Sequence, residues 1–579
     1  MRNLFIVINL FFISLFSHEI EKVEFSELQP VDSLKKTEKE YESITPPEER
    51  GLPSLEEKDQ KGCCPVTTEC NSGIIEKIII ESPYCKDGPI LKDCNVEIRG
   101  LSLPCSIRKL AKCLRPFIGK GICPEQISCL KEAITTFYRE NSHPFILITT
   151  PEQKVSEGVL RFEVHESCVD AVTVSCNTHF STCVLEDLID LKPGDRVDTG
   201  VIANDLYWIN KNPMREASVL FKPGEQDMTT SVDYVVRDRR TFQIYAGADN
   251  TGIESTGKGR LYAGFNWANV WNLGHILTFQ QTESTNFNRY WSSTGSYAIP
   301  FYGKNLLTFY GGYSKFKPTE EITNMRNRGH AWQVSGRYTF PLRALGQKYV
   351  HDLSFGADFK STNTNLVFGD QLLIGSTTLI SQLAFTYFGI YEHENVKVPL
   401  EAGVYYMPGS IFNDQSRADF ESLRFKANNT YVYANASAKP YFLLPHDFGL
   451  SLHLKAQFSS ANLLASEQFG LGGYDTVRGY DYRDVNKDNG LLGSIEFITP
   501  AIRKYFRLLA FFDYGAGWDH IKTPGIKNFD WLGGVGPGLR LVVDPHLYVR
   551  VDYGIKLNKT QFEPNASFGR WHLGVIANY

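Results

Sequence analysis

The chain has 579 residues, a formal net charge of −5, 13% aromatic residues, 29 tyrosines and 47 glycines. This length holds several domains or one large barrel with appendages, and the near-neutral balance offers no basic stripe, so no nucleic-acid partner is indicated. Abundant Gly and Tyr suit an all-β architecture with aromatic belts, although a secreted sandwich has a similar composition.

Met1-Arg2-Asn3 is a short positive start, and residues 4–16 are a mostly apolar run. That run matches the core of a signal peptide and is too short to span a bilayer, so residues 1–17 are assigned as a signal peptide cleaved near Ser17. No later stretch is long and apolar enough for a transmembrane helix. A membrane crossing therefore has to be a closed barrel, because hydrocarbon does not tolerate unpaired backbone groups.

Residues 18–62 have linker composition, with 13 acidic and 7 basic residues between Glu19 and Lys61 and prolines at 30, 46, 47 and 53. Within them VDSLKKTEKEYESI has the pattern of a short helix, with Asp32 or Ser33 as its cap and Val31, Leu34, Tyr41 and Ile44 along one side.

All twelve cysteines fall in residues 63–183: Cys63, Cys64, Cys70, Cys85, Cys94, Cys105, Cys113, Cys123, Cys129, Cys168, Cys176 and Cys183. An even number in an exported chain points to disulfides, and the absence of paired CxxC spacing argues against zinc. The pairing stays open. The same region has a β-α-α-β-β pattern twice. Residues 63–168 begin with GIIEKIIIE, continue through an insertion holding Cys85 and Cys94 and two helical patterns, and end with FILITT and GVLRFEVHE. Residues 169–238 repeat the order from VDAVTVSCN to TTSVDYVVRD.

From about Arg239 to Tyr579 the pattern becomes short strands of period 2. Phe242, Ile244, Ala246 and Ala248 share one side, as do Leu261, Ala263, Phe265 and Trp267. Residues 239–579 accommodate around sixteen strands at roughly 10 residues each plus turns and loops. The last run alternates Trp571, Leu573, Val575, Ala577 and Tyr579 and ends on an aromatic residue.

One segment breaks this rhythm. LASEQFGLGGYDTVRGYDYRDVNKDNG, residues 464–490, is far longer than a hairpin needs, and long loops are usually functional or disordered. Its Val477-Arg478-Gly479-Tyr480 resembles the signature of a pore loop in the two-partner-secretion transporters, the TpsB or haemolysin/haemagglutinin secretion-activation family of the POTRA-barrel superfamily. Other motifs resemble the same family: FYREN…PFILITTPEQKVSEGVLRFEVHE in the first unit, NDLYWIN in the second, and residues 249–275 as a first barrel hairpin. Phe511-Phe512-Asp513 resembles the aromatic-x-Asp motif of an inward-facing strand. The terminal run resembles an outer-membrane barrel C-terminal signal, carried by Trp571, Leu573, Val575 and Tyr579. The Asn141-Ser142-His143 turn and the cysteine content depart from the family.

The resemblance implies an all-β transmembrane barrel preceded by two α+β POTRA domains in the periplasm, with residues 18–62 as a plug helix and linker. It implies that Arg478 pairs with Asp513 on the barrel wall, Tyr480 and Phe511 packing around the pair. The expected function is export of an unfolded secreted client across the outer membrane of a bacterial-type cell. The expected partners are that client, outer-membrane lipid and, during biogenesis, the barrel-assembly machinery. No catalytic pair, metal cluster, ATP motif or cofactor is expected. The alternatives are a barrel-assembly insertase of the same superfamily and a passive porin.

Overall fold

The computed structural model describes residues 73–579 except for 85–89, 154–157, 254–255, 302–303, 318–324, 346–347, 369–370, 544–545 and 560–566. The signal segment, the acidic linker with its expected helix, and Cys63, Cys64, Cys70 and Cys85 lie outside the described residues.

The first unit contains β1 (Lys77–Glu81), β2 (Ile90–Asp93), β3 (Val96–Arg99), α1 (Ile107–Leu114), α2 (Pro124–Glu140), β4 (Ile146–Thr149) and β5 (Val159–Glu166). Ser106 caps α1 by accepting from the Arg108 N–H, and Pro124 opens α2, where no helical hydrogen bond is lost. The helices bury Leu110, Leu130 and Ile134 against Ile78, Ile80 and Phe162 of the sheet. The sheet runs β2-β3-β1-β5-β4. The expected β-α-α-β-β order therefore gains a hairpin from the insertion, because Asp93 pairs with Val96 around a two-residue turn in which Cys94 takes φ 50.

The second unit is β6 (Cys168–Ser175), α3 (Thr182–Glu186), α4 (Thr199–Asn210), β7 (Arg215–Pro223) and β8 (Thr229–Asp238), with sheet order β6-β8-β7. The cysteines correct the sequence expectation. Cys123 and Cys129 are disulfide-bonded, but Cys94, Cys105, Cys113, Cys168, Cys176 and Cys183 are free thiols. The free ones lie on a hairpin turn (Cys94), a loop (Cys105), α1 (Cys113), the head of β6 (Cys168), the residue after it (Cys176) and α3 (Cys183). A disulfide needs Cα atoms roughly 4.4–6.8 Å apart and converging Cβ atoms.

The remaining chain closes on itself. Its first strands are β9 (Phe242–Asp249), β10 (Arg260–Val270), β11 (His275–Ser284), β12 (Tyr290–Phe301), β13 (Asn305–Phe316) and β14 (Met325–Pro341). β15 (Tyr349–Phe368), β16 (Gln371–His393) and β17 (Val396–Pro408) follow, then the loop helix α5 (Arg417–Leu423). β18 (Thr430–Ala438) and β19 (Tyr441–Leu444) are two halves of one strand, next to β20 (Phe448–Ser459). β21 (Phe469–Leu471) and β22 (Val485–Lys487) belong to a long loop, after which β23 (Asn489–Ile498), β24 (Phe506–Trp518), β25 (Phe529–Val543), β26 (Leu547–Lys556) and β27 (Gly569–Asn578) finish the ring. β27 pairs with β9, giving a closed antiparallel barrel of sixteen strands with no free edge.

Alternation sorts the two faces. Phe242, Ile244, Phe309, Phe385, Leu454 and Phe512 are exposed on the outside. Gln333, Arg337, Asp358, Gln382, Asp513 and Asp552 are buried on the inside. An apolar exterior over a polar interior is what a bilayer demands of a barrel.

The second unit is fastened to the short barrel turns. Lys304, between β12 and β13, is 1% exposed, and its ammonium binds Asp190 at 2.5 Å and the fully buried Asp205 of α4. Burial pushes the Asp205 carboxyl up, Lys304 opposes this, and Tyr234 donates its hydroxyl to Asp205 at 2.7 Å. Tyr207 and Lys211 both reach Asp352 on β15 at 2.7 Å. Lys304→Met strands the Asp205 carboxylate without its cation, a loss of about 3–5 kcal/mol. Hydrogen exchange is expected to rise across 182–210 while the barrel stays heat-modifiable.

In the first unit Glu97 is 2% exposed and accepts from Lys77 at 2.5 Å and Arg99 at 2.9 Å. The Lys77 hydrogen bond, against the effect of burial and helped by Arg99, holds its carboxyl at about 2. A depressed carboxylate contributes stability that is complete above its ordinary value and lost as pH falls toward the folded value. Unfolding of this unit followed by hydrogen exchange in residues 77–99 is therefore expected to steepen below the usual glutamate range, and Glu97→Gln is expected to flatten that part of the profile.

Candidate functional site in the barrel lumen

After β20 the chain enters the bore. The β21–β22 hairpin places residues 477–480 against the inner wall, in an apolar patch of Phe469, Leu471, Val477, Tyr480, Val485, Leu492 and Leu532. Ordering such a loop costs on the order of 1–2 kcal/mol per residue, so it stays put only if contacts offset that cost.

Arg478 is the densest contact, at 3% exposure. It donates Nε–H to Asp513 Oδ2 at 2.8 Å, Nη2–H to Oδ1 at 2.7 Å, and its backbone N–H to Oδ2 at 3.0 Å. This is the planar two-point pairing that suits guanidinium and carboxylate. Glu496 on β23 accepts from Nη1 at 2.5 Å, and Ser494 donates to Asp513 Oδ1 at 2.6 Å. The ring of Phe511 lies under the guanidinium, 3.5 Å from its centroid. Asp513 sits mid-strand on β24, fully buried and facing inward, so it is not a strand-end cap.

Backbone fit completes the seat. Gly479 takes φ 102, a conformation side chains resist, and donates its N–H to His572 Nε2 at 2.9 Å. A Cβ on the wall glycine Gly554 would stand 2.2 Å from the Gly479 nitrogen, and one on Gly534 2.1 Å from the Arg478 carbonyl oxygen. Tyr480 turns away from the ion pair and donates its hydroxyl to the Gly533 and Asn558 carbonyls at 3.0 and 2.6 Å. Trp571 and Leu573 are exposed on the outer face of β27, and Tyr579 is exposed at the chain end, while Val575 is half-buried.

Sequence reasoning missed Glu496, Ser494 and His572. Each lies at an inward position of its strand, and the parity of the apolar neighbours was the available signal: His572 falls between outward Trp571 and Leu573. Among the described residues no group of His, Cys, Asp and Glu could hold a metal ion.

A polar-lined, apolar-sheathed barrel with a loop pinned inside its bore is a membrane-spanning pore. The comparisons define it further. The family model described as haemolysin secretion/activation protein ShlB/FhaC/HecB matches residues 229–541. The heme/hemopexin transporter protein HuxB of Haemophilus influenzae is 22% identical over 459 residues, 75% of this chain and 78% of that protein. The outer membrane transporter CdiB of Dickeya dadantii is 22% identical over 436 residues, 71% of this chain and 74% of that protein. In fold, CdiB from Escherichia coli superposes with a TM-score of 0.75 over 96% of this chain and 98% of that one, at 16% identity. The chain belongs to the haemolysin secretion/activation family, and its barrel is a two-partner secretion pore of the outer membrane.

Asp513→Asn keeps the shape of the seat but removes the charge from the two-point pair. The tip is expected to loosen by about 3–5 kcal/mol, the range for breaking a buried pair, read as faster hydrogen exchange in residues 474–482 of an otherwise folded barrel.

Proposed function

We propose that the chain captures an unfolded secreted protein in the periplasm and passes it outward through the barrel, with the Arg478 loop as the element that must yield. Residues 63–168 and 169–238 act as two POTRA domains. Their sheets end in β2 and β4 and in β6 and β7. Ile90 and Leu91 are exposed on β2, so an extended client could add a strand there through main-chain bonds. HuxB and CdiB are named as transporters, which supports a transported client here.

The observation that carries this reading is the buried Arg478–Asp513–Glu496 cluster inside the bore. A passive porin has no need of the tandem α+β units that precede this barrel. A removable plug gains a closed resting state held by a few bonds that can be exchanged. Export involves no catalytic step or cofactor in this reading, and folding of the client outside supplies the direction.

The test is Arg478→Ala in cells producing the chain with its secreted partner. Barrel insertion and heat-modifiability are expected to persist, while partner in the medium falls by at least about tenfold, the loss of one charge-assisted bond, because in this reading the loop must return to its seat after yielding. Undiminished export would remove the loop from the mechanism.

A further inference from the structure

A second buried ion pair holds the other end of the same loop. Glu467, on the limb leading from β20 into the bore, is 4% exposed. Lys360 of β15 donates to both of its carboxylate oxygens at 3.0 Å. Tyr433 of β18 donates its hydroxyl at 2.8 Å and Gln382 of β16 its amide at 3.2 Å. A carboxylate taken this far from water is tolerated only because its acceptor positions are met by an opposing cation and hydrogen bonds. Counted around the ring, β15 lies six strands from β24 and eight from β26. The root of the loop is therefore held by β15, β16, β18 and, through Gln457 Nε2 donating to the Glu467 carbonyl at 2.8 Å, β20, whereas its tip is seated on β23 and β24, so the two ends are fixed to different stretches of the wall.

The wall beneath Glu467 is built to receive it. Gln382 bridges two carboxylates, donating to Asp358 at 3.0 Å as well as to Glu467. Asp358 shares the inward face of β15 with Lys360 and is already paired with Arg337 at 2.7 Å. Leu464, three residues before Glu467, packs with Tyr433, Tyr431 and the α5 residue Phe420, so an apolar contact reinforces the ionic one.

We propose that Glu467 and Lys360 form a second latch on the pore loop, and that the bore opens fully only when this latch releases along with the Arg478 seat. The proposal rests on the reading of the loop as a removable plug. Glu467 is a positioning residue in this scheme: it fixes the root of the loop, while Arg478 fixes the tip. On release Lys360 keeps Asp358 as a neighbour on its own strand face.

The experiment is single-channel recording of the detergent-purified full chain in planar bilayers, comparing wild type, Glu467→Gln, Arg478→Ala and the exchanged pair Lys360→Glu with Glu467→Lys. Glu467→Gln is isosteric and is expected to raise the time spent in the large-conductance state about tenfold, the equivalent of one charge-assisted bond. The exchanged pair is expected to return toward wild type, an outcome that a merely structural role for Glu467 does not produce. Arg478→Ala opening the pore while Glu467→Gln stays as quiet as wild type would overturn the second latch and leave the plug reading standing. Wild-type behaviour in both would sink the plug reading itself. If Glu467→Gln fails to insert, the exchanged pair decides: quiet channels support the latch, and channels as open as Arg478→Ala refute it.

Discussion

A long polar loop cannot rest in the middle of a barrel without being tied there, and the tie in this protein is one buried guanidinium. Arg478 satisfies two carboxylates and lies on an aromatic ring, all on inward positions of β23 and β24. Much else follows from seating it. The wall glycines at 534 and 554 exist where a Cβ would collide with the tip, and His572 faces inward where the Gly479 amide needs an acceptor. The cost of burying so much charge is tolerable only while every member is paired, which makes the cluster cohesive when closed and sensitive to the loss of any one partner.

The barrel provides rigid walls for that seat, and the second N-terminal unit is tied to it. Lys304 reaches from a barrel turn to Asp205 of α4, and Asp352 of β15 receives Tyr207 of the same helix and Lys211, the residue after it. The second unit thus reports directly on strand β15, the strand that also carries Lys360.

How much of this was legible in the sequence depended on range. The sixteen strands were readable because period 2 is local: Phe242, Ile244 and their kin mark an outward face without reference to any partner. The α+β units were readable from Pro124 and the Ile-rich runs, but the β2–β3 hairpin hid in an insertion whose turn relies on Cys94 at a positive φ. Arg478 stood out only because its motif resembles that of a known family. Its neighbours Glu496 and His572 lie 18 and 94 residues away in the chain and carry no local signal beyond strand parity. The cysteines were legible only in part: Cys123 and Cys129 are disulfide-bonded while six others are free, because pairing needs converging Cα positions that spacing does not encode.

The central claim is that an extended client travels through the interior of this barrel. The direct measurement is site-specific photo-crosslinking to the secreted partner, stalled in transit by a stably folded domain fused to its trailing end. A photoreactive residue at inward-facing Gln333 is expected to crosslink the stalled chain, and one at lipid-facing Phe385 is not. Equal crosslinking from both faces, or none from the lumen while the stalled chain is surface-exposed, would contradict passage through the bore.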